Sequence, residues 1–194
     1  MDASCSRPLL ILDLDETLIY GSEARLHRPA DFRVGPYHIY QRPSLESFLA
    51  AATQHYDVAI WSSASADYVA GIATALARLV PKWKFIWARD RCTERRHPET
   101  LETCFLKDLR KVKRLGIDLD RVLIVDDTPS KVSRNYGNAI YLNPFTGSDD
   151  DHELSQLALY LGSLYASANF RKIEKRNWRT RAHRVSSHEA AQNS

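Results

Sequence analysis

Asp13-Leu14-Asp15-Glu16-Thr17 places two carboxylates two residues apart, just after the apolar run Leu9-Leu10-Ile11-Leu12. On an extended backbone residues i and i+2 share a face, so Asp13 and Asp15 are expected to point the same way while Leu14 returns to the interior. Carboxylates that close raise one another's pKa unless a cation relieves the repulsion. Mg²⁺ suits the task, because it takes carboxylates, waters and phosphate oxygens as ligands. A lone strand-end aspartate would read as a turn cap; the pair, ending an all-apolar strand, favours the metal. Asp126-Asp127-Thr128-Pro129 repeats the pattern after Val122-Leu123-Ile124-Val125. By itself it reads equally well as an N-cap and turn before a helix opening at Pro129. Taken with the first cluster, the simpler account is that both strand ends converge on one ion.

Two further residues bear on anions. Ser62 ends the apolar run Val58-Ala59-Ile60-Trp61. A hydroxyl there, beside the N–H groups of a helix N-terminus, can hold phosphate oxygens, or it can cap the helix. Lys107 sits between apolar neighbours in Phe105-Leu106-Lys107-Asp108-Leu109. A lysine turned inward is costly unless it meets negative charge, whereas a solvated lysine is the ordinary fate of one among 27 basic residues.

These side chains need a scaffold that brings distant strand ends together. The runs at Leu9–Leu12, Val58–Trp61 and Val122–Val125 read as strands buried on both faces. Lys84–Ala88 and Ala139–Tyr141 read as two more, and short β-like pieces fall at Phe32–Val34 and Tyr37–Tyr40. Helical spacing connects Leu45, Phe48, Leu49 and Ala52 behind Pro43-Ser44, then Tyr68, Val69, Ile72, Ala73 and Leu76 behind a Ser65 cap. Asp149–Asp151 favours a helix start through the macrodipole, with Leu154, Leu157, Leu161 and Leu164 as its buried stripe. Strands alternating with helices predict an α/β, Rossmann-like parallel sheet flanked by helices, whose ligands bind beyond the carboxyl ends of the strands. Asp13, Ser62, Asp126 and Asp127 all lie at such ends.

The 194 residues suit one domain, and 44% hydrophobic with 26% charged is globular composition. No apolar run approaches the ~18 residues of a membrane span, and the polar start broken by Asp13 and Asp15 is not a secretory signal. Cys5, Cys92 and Cys104 lack metal-type spacing and read as free thiols of a reducing compartment, cytoplasmic by default or nuclear. Residues 171–194 carry seven Lys/Arg against Glu174 and Glu189, a net +5, which leaves about −2 for the rest. The expected division is therefore a domain over 1–170 and a basic, partly disordered tail over 171–194, a short helix that frays.

In order along the chain, D-x-D-x-T, a strand-end Ser, a Lys and a strand-end D-D resemble the haloacid dehalogenase (HAD) superfamily. Within it the sequence is most similar to the carboxy-terminal-domain phosphatases, the small and FCP-type enzymes with their NIF-like relatives. The resemblance covers roughly residues 8–170 and rests on Leu12–Leu18, Ile60–Ala64, Leu106–Leu109 and Val122–Pro129. It implies a HAD-like fold and a Mg²⁺-dependent phosphatase in which Asp13 is nucleophile and metal ligand. It implies that Asp15 is the general acid and base, with its backbone carbonyl on the metal, and that Asp127, with Asp126 beside it, completes the metal set. Thr17 would steady the loop and join Ser62 and Lys107 around the phosphoryl group.

Many HAD relatives cover small substrates with an inserted cap domain. Here 48 residues separate Asp13 from Ser62, and a helix and strand consume about 18 of them. What remains, near Ile19–Arg42, suits a flap and hairpin, and the second insert, Arg89–Thr103, is also short. An open site points to a phosphorylated protein or peptide as substrate, with phosphoserine or phosphothreonine the leading case. Tyr20 stands where many relatives carry His, and Asp126-Asp127 where several have Asp-Asn, which weakens any link to the RNA polymerase tail. Alternatives are a capless phosphatase of small metabolites and a catalytically silent binding module. Nucleic acid enters only as non-specific contact through the basic tail, where Trp178 among arginines could stack on a base.

Overall fold

A computed structural model describes residues 7–96, 103–135 and 137–184. The first apolar run forms β1 (Leu9–Leu12) and the three short pieces after it form β2 (Ile19–Ser22), β3 (Phe32–Val34) and β4 (Tyr37–Gln41). Then come α1 (Leu45–His55), β5 (Asp57–Trp61), α2 (Ala66–Ala75) and β6 (Ile86–Trp87). A hairpin of β7 (Thr93–Arg96) and β8 (Thr103–Leu106) leads to the single turn α3 (Arg110–Lys113). The chain continues through β9 (Val122–Asp126), a 3₁₀ turn over Pro129–Asn135, β10 (Ala139–Tyr141) and α4 (Glu153–Leu164).

Five strands make one parallel sheet in the order β10-β9-β1-β5-β6. Alternation along each strand divides its residues between two cores. Leu10, Leu12, Val58, Ile60, Leu123 and Val125 face one core with α1, α2 and α4. Leu9, Ile11, Ala59, Trp61, Val122 and Ile124 face the other, with Val112 and Val132. Burial on both faces is why these runs carry no polar residue until the strand ends. The predicted stripes of α1 and α4 are buried as expected.

Several expectations change. The strand foreseen over Lys84–Ala88 pairs regularly only at Ile86 and Trp87, while Lys84 turns out to an ion pair with Asp57 at 2.9 Å. Ser65 occupies the N-cap of α2, yet its hydroxyl makes no capping bond. The segment after β1 does hold to expectation: it is a three-stranded antiparallel sheet, β2-β4-β3, a flap rather than a helical cap.

The largest difference lies at the C-terminus. The body does not stop at residue 170, because residues 178–184 are helical and Trp178 and Ala182 are buried in the first core. Trp178 Nε1 donates to Tyr141 O at 3.0 Å and Arg179 pairs with Glu153 at 2.5 Å, so this segment lies against the β10 edge. Its charges hid a packing face. Trp178 is therefore not free to stack on a base. The remainder of the expected tail, residues 185–194, lies outside the described residues.

Candidate active site

The sheet register sets Leu12 beside Ile60 on one side and Val125 on the other. Asp13, Ser62 and Asp126 consequently emerge at neighbouring carboxyl ends, and Asp13 N donates to Val125 O at 3.0 Å. By the same alternation Asp13 and Asp126 continue the face of Ile11 and Ile124, that of the second core, and both meet Lys107. Lys107 Nζ donates to Asp126 Oδ2 at 2.6 Å and lies 2.7 Å from Asp13 Oδ2. The second contact has the closeness of an ion pair without the angles of a directed hydrogen bond, so Asp13 Oδ2 stays buried with no directed donor among the described residues. Asp13 Oδ1 accepts from Leu14 N at 2.8 Å.

Lys107 itself is fully buried. Its N–H donates to Lys131 O at 2.8 Å, and Asn135 braces the next peptide by donating to Lys107 O and accepting from Leu109 N. Burial works against the ammonium charge, but Asp13 and Asp126 outweigh it and raise the lysine above its ordinary pKa. Asp126 is pushed up to about 6, first by burial and then by the charge of Asp13, with Lys107 pulling the other way.

Asp127 completes a group with Asp13 and Asp126 whose carboxylate oxygens lie within 4.8 Å of one another. Its carboxylate accepts from Thr17 Oγ1 at 3.2 Å and from Thr128 Oγ1 at 2.8 Å. Thr17 is fully buried, and the hydroxyl expected beside the phosphoryl group donates here to Asp127. Ser62 Oγ accepts from Ala64 N at 3.1 Å, which leaves its own O–H to donate.

Asp15 departs from expectation. The chain leaves β1 in a turn in which Glu16 adopts φ 58. Asp15 Oδ1 instead accepts from Tyr68 Oη at 2.7 Å, and its carboxylate stands outside the three-carboxylate group; only its backbone carbonyl is left for a metal. A Cβ at residue 21 would lie 2.4 Å from Tyr68 Oη, so Gly21 is what lets the phenol approach. Burial raises the Asp15 pKa, the Tyr68 bond opposes this, and the charge of Asp13 adds to it. A carboxyl group whose pKa is raised beside a second carboxylate is suited to acid–base work.

The donor set fits Mg²⁺. Asp13, Asp126 and Asp127 bring three carboxylates, beside the Asp15 backbone carbonyl, to a site whose lysines are Lys107 and the partly exposed Lys131, 3.8 Å from Asp13 Oδ2. Hard oxygens in excess of local positive charge are what a small divalent cation binds.

Opposite the lysines, the same loop is clamped by Arg42, which nothing local in the sequence marked. Its guanidinium makes two 2.8 Å bonds to Asp151 and donates to the carbonyls of Glu16, Thr17 and Asn143. Asp151 was expected to serve the start of α4; it does accept from Glu153 N at 3.0 Å, but its ion pair goes to Arg42.

A family model for the NLI interacting factor-like phosphatases matches residues 8–171. The chain belongs to this family. Among curated relatives, it is 33% identical over 170 residues to the mitochondrial import inner membrane translocase subunit TIM50 of Phytophthora infestans, covering 86% of this chain and 37% of that protein. It is 31% identical over 180 residues to a probable C-terminal domain small phosphatase of Dictyostelium discoideum, covering 87% of this chain and 55% of the relative. This NIF-like domain thus spans between about a third and just over half of those relatives. In fold it is similar to the fission yeast RNA polymerase II CTD phosphatase Fcp1 bound to beryllium fluoride, with a TM-score of 0.55 and 16% identity over 96% of this chain and 51% of the other. The five-stranded parallel sheet with its helices accordingly has the HAD-like fold. No helix among the described residues is long and apolar enough to cross a membrane.

Proposed function

We propose that the chain is a Mg²⁺-dependent phosphomonoester hydrolase that works through a phosphorylated Asp13. The observation that carries this is the position of Asp13, between a buried Lys107 at 2.7 Å and the carboxylates of Asp126 and Asp127, with Asp15 held aside by Tyr68. Asp13 attacks phosphorus and the ester P–O bond breaks, while the leaving oxygen takes the proton of Asp15. Asp15, now a carboxylate, accepts a proton from water; that water attacks phosphorus, the Asp13–phosphate bond breaks, and inorganic phosphate leaves. Splitting one displacement into two is the gain from covalent catalysis. Lys107 and Ser62 hold phosphoryl oxygens, and Asp13, Asp126, Asp127 and the Asp15 carbonyl would hold the metal. When bound, Mg²⁺ supplies charge neutralisation at the phosphoryl oxygens and orients them.

A phosphoserine or phosphothreonine on a protein is the substrate we favour. The short flap β2-β4-β3 stands where a folded cap would be, and a cavity of about 250 Å³ beside Asp15, lined by Tyr37, Ser65, Tyr68 and Arg89, can take the residue bearing the leaving oxygen. Free Cys92 and Cys104 support a reducing compartment, cytoplasm or nucleus. Phosphate release from p-nitrophenyl phosphate, a phosphopeptide panel and a panel of phosphorylated metabolites, each with Mg²⁺ or EDTA, tests both parts. Mg²⁺-dependent turnover with phosphopeptides preferred is the expected result. Preference for metabolites would replace the substrate, and Mg²⁺ binding without turnover of anything would make this a binding module.

A further inference from the structure

We propose that Lys131 is a second phosphoryl-binding cation, reaching the transferring group from the mouth of the pocket as Lys107 does from its floor. This rests on the phosphatase reading above. Lys131 Nζ lies 3.8 Å from Asp13 Oδ2, the same oxygen that Lys107 approaches to 2.7 Å. The two lysines differ in setting: the Lys107 side chain is wholly buried, whereas that of Lys131 keeps 27% of its exposure. A cation with that much solvent contact, at the long end of ion-pair distance from a buried carboxylate, can shift by an ångström to meet an incoming phosphoryl oxygen.

The backbone shows that this placement is built in. Lys131 N donates to Thr128 O at 3.1 Å, and Lys131 O accepts from Lys107 N at 2.8 Å. Val132, next in the chain, is fully buried in the second core. The Pro129–Asn135 turn thus fixes both lysines at once, Lys107 through its peptide and Lys131 through its own Cα. Because that support comes from main-chain atoms, the Lys131 side chain can be removed without unseating Lys107.

Charge accounts for the need. A phosphate monoester brings up to two negative charges into a site that already holds three clustered carboxylates, Asp13, Asp126 and Asp127. Lys107 and one divalent cation leave the sum negative, and Lys131 lowers the excess by one. Positive charge placed where phosphoryl charge accumulates favours both substrate capture and the charge-rich transition state.

The test compares wild type with Lys131→Ala and Lys131→Arg, all Mg²⁺-loaded. It reads KM and kcat on p-nitrophenyl phosphate, the binding of inorganic phosphate by calorimetry, and thermal midpoints. Lys131→Ala should raise KM and weaken phosphate binding about ten-fold, the low end for a charge-assisted hydrogen bond because the side chain is partly hydrated. Lys131→Arg should recover most of this, and neither variant should melt differently from wild type. Unchanged phosphate affinity in Lys131→Ala, with wild-type enzyme active, would overturn the proposal while leaving the phosphatase intact. Equal losses in both variants with lowered melting would overturn it in favour of a structural lysine. A wild type that neither binds phosphate nor turns over would remove the phosphatase reading and this proposal together.

Discussion

Two buried ionic networks hold the loop after β1, one on each side, and they are finished differently. Arg42 and Asp151 form a closed pair: two 2.8 Å bonds join them, and the remaining guanidinium donors go to backbone carbonyls. Lys107, Asp13, Asp126 and Asp127 form an open one, in which one buried ammonium serves two carboxylates and Asp13 Oδ2 is left without a directed donor. A closed pair can only support shape. An open one carries negative charge that the fold itself does not neutralise, and it is there that the proposed metal and phosphoryl group would find their places.

The largest break in this contrast is Asp13→Asn. It removes the nucleophile, so turnover should fall on the order of 10⁴-fold or more, while the metal-free protein should melt no lower than wild type because the open network loses a repelling charge. Phosphate release and a melting curve on the same preparation check both halves. Arg42→Ala should do the reverse to the fold: opening a buried pair costs about 3–5 kcal/mol, seen as a lower midpoint in urea unfolding. A loss much below 1 kcal/mol would mean that Arg42 is not the clamp described here.

A smaller effect separates the networks by metal. Mg²⁺ should raise the melting temperature of wild type and of Asp151→Asn, but much less that of Asp127→Asn, since binding to the folded state alone stabilises it. The smallest effect concerns Asp108, held well below the ordinary carboxylate pKa first by hydrogen bonds from Arg110 and also by Arg134. A depressed folded pKa stabilises the fold above the unfolded value of about 4, and that contribution fades as pH falls below about 4 towards the folded pKa. Asp108→Asn should therefore flatten the acid limb of a stability–pH curve by no more than about 1 kcal/mol, because Arg110 is largely exposed.

The open network was legible in the sequence and the closed one was not, for physical reasons. Strands buried on both faces read as unbroken apolar runs, so the residues that end them, Asp13, Ser62 and Asp126, announce themselves. Lys107 could be placed only by its order among the other motifs. Arg42 and Asp151 are far apart in the chain, and each has a local reading, one a loop arginine before Pro43, the other a helix-start acid. Asp15 was grouped with the other carboxylates by its spacing, whereas its partner is the Tyr68 phenol of α2, which no local pattern announces. Trp178 read as part of a charged tail because its packing partners, the Tyr160 ring and the Tyr141 carbonyl, lie in other elements. Lys131 gave no signal at all, since a lysine two residues past Pro129 reads as surface until the turn is folded.

The most direct test of the central claim is whether Asp13 carries the phosphoryl group. Mass spectrometry on acid-quenched enzyme, taken during turnover of p-nitrophenyl phosphate with Mg²⁺, should find one added phosphoryl group on the peptide containing Asp13. The adduct should be absent from Asp13→Asn and from samples in EDTA. Sustained Mg²⁺-dependent turnover with no phosphoryl on that peptide, or with the adduct on another residue, would contradict the account.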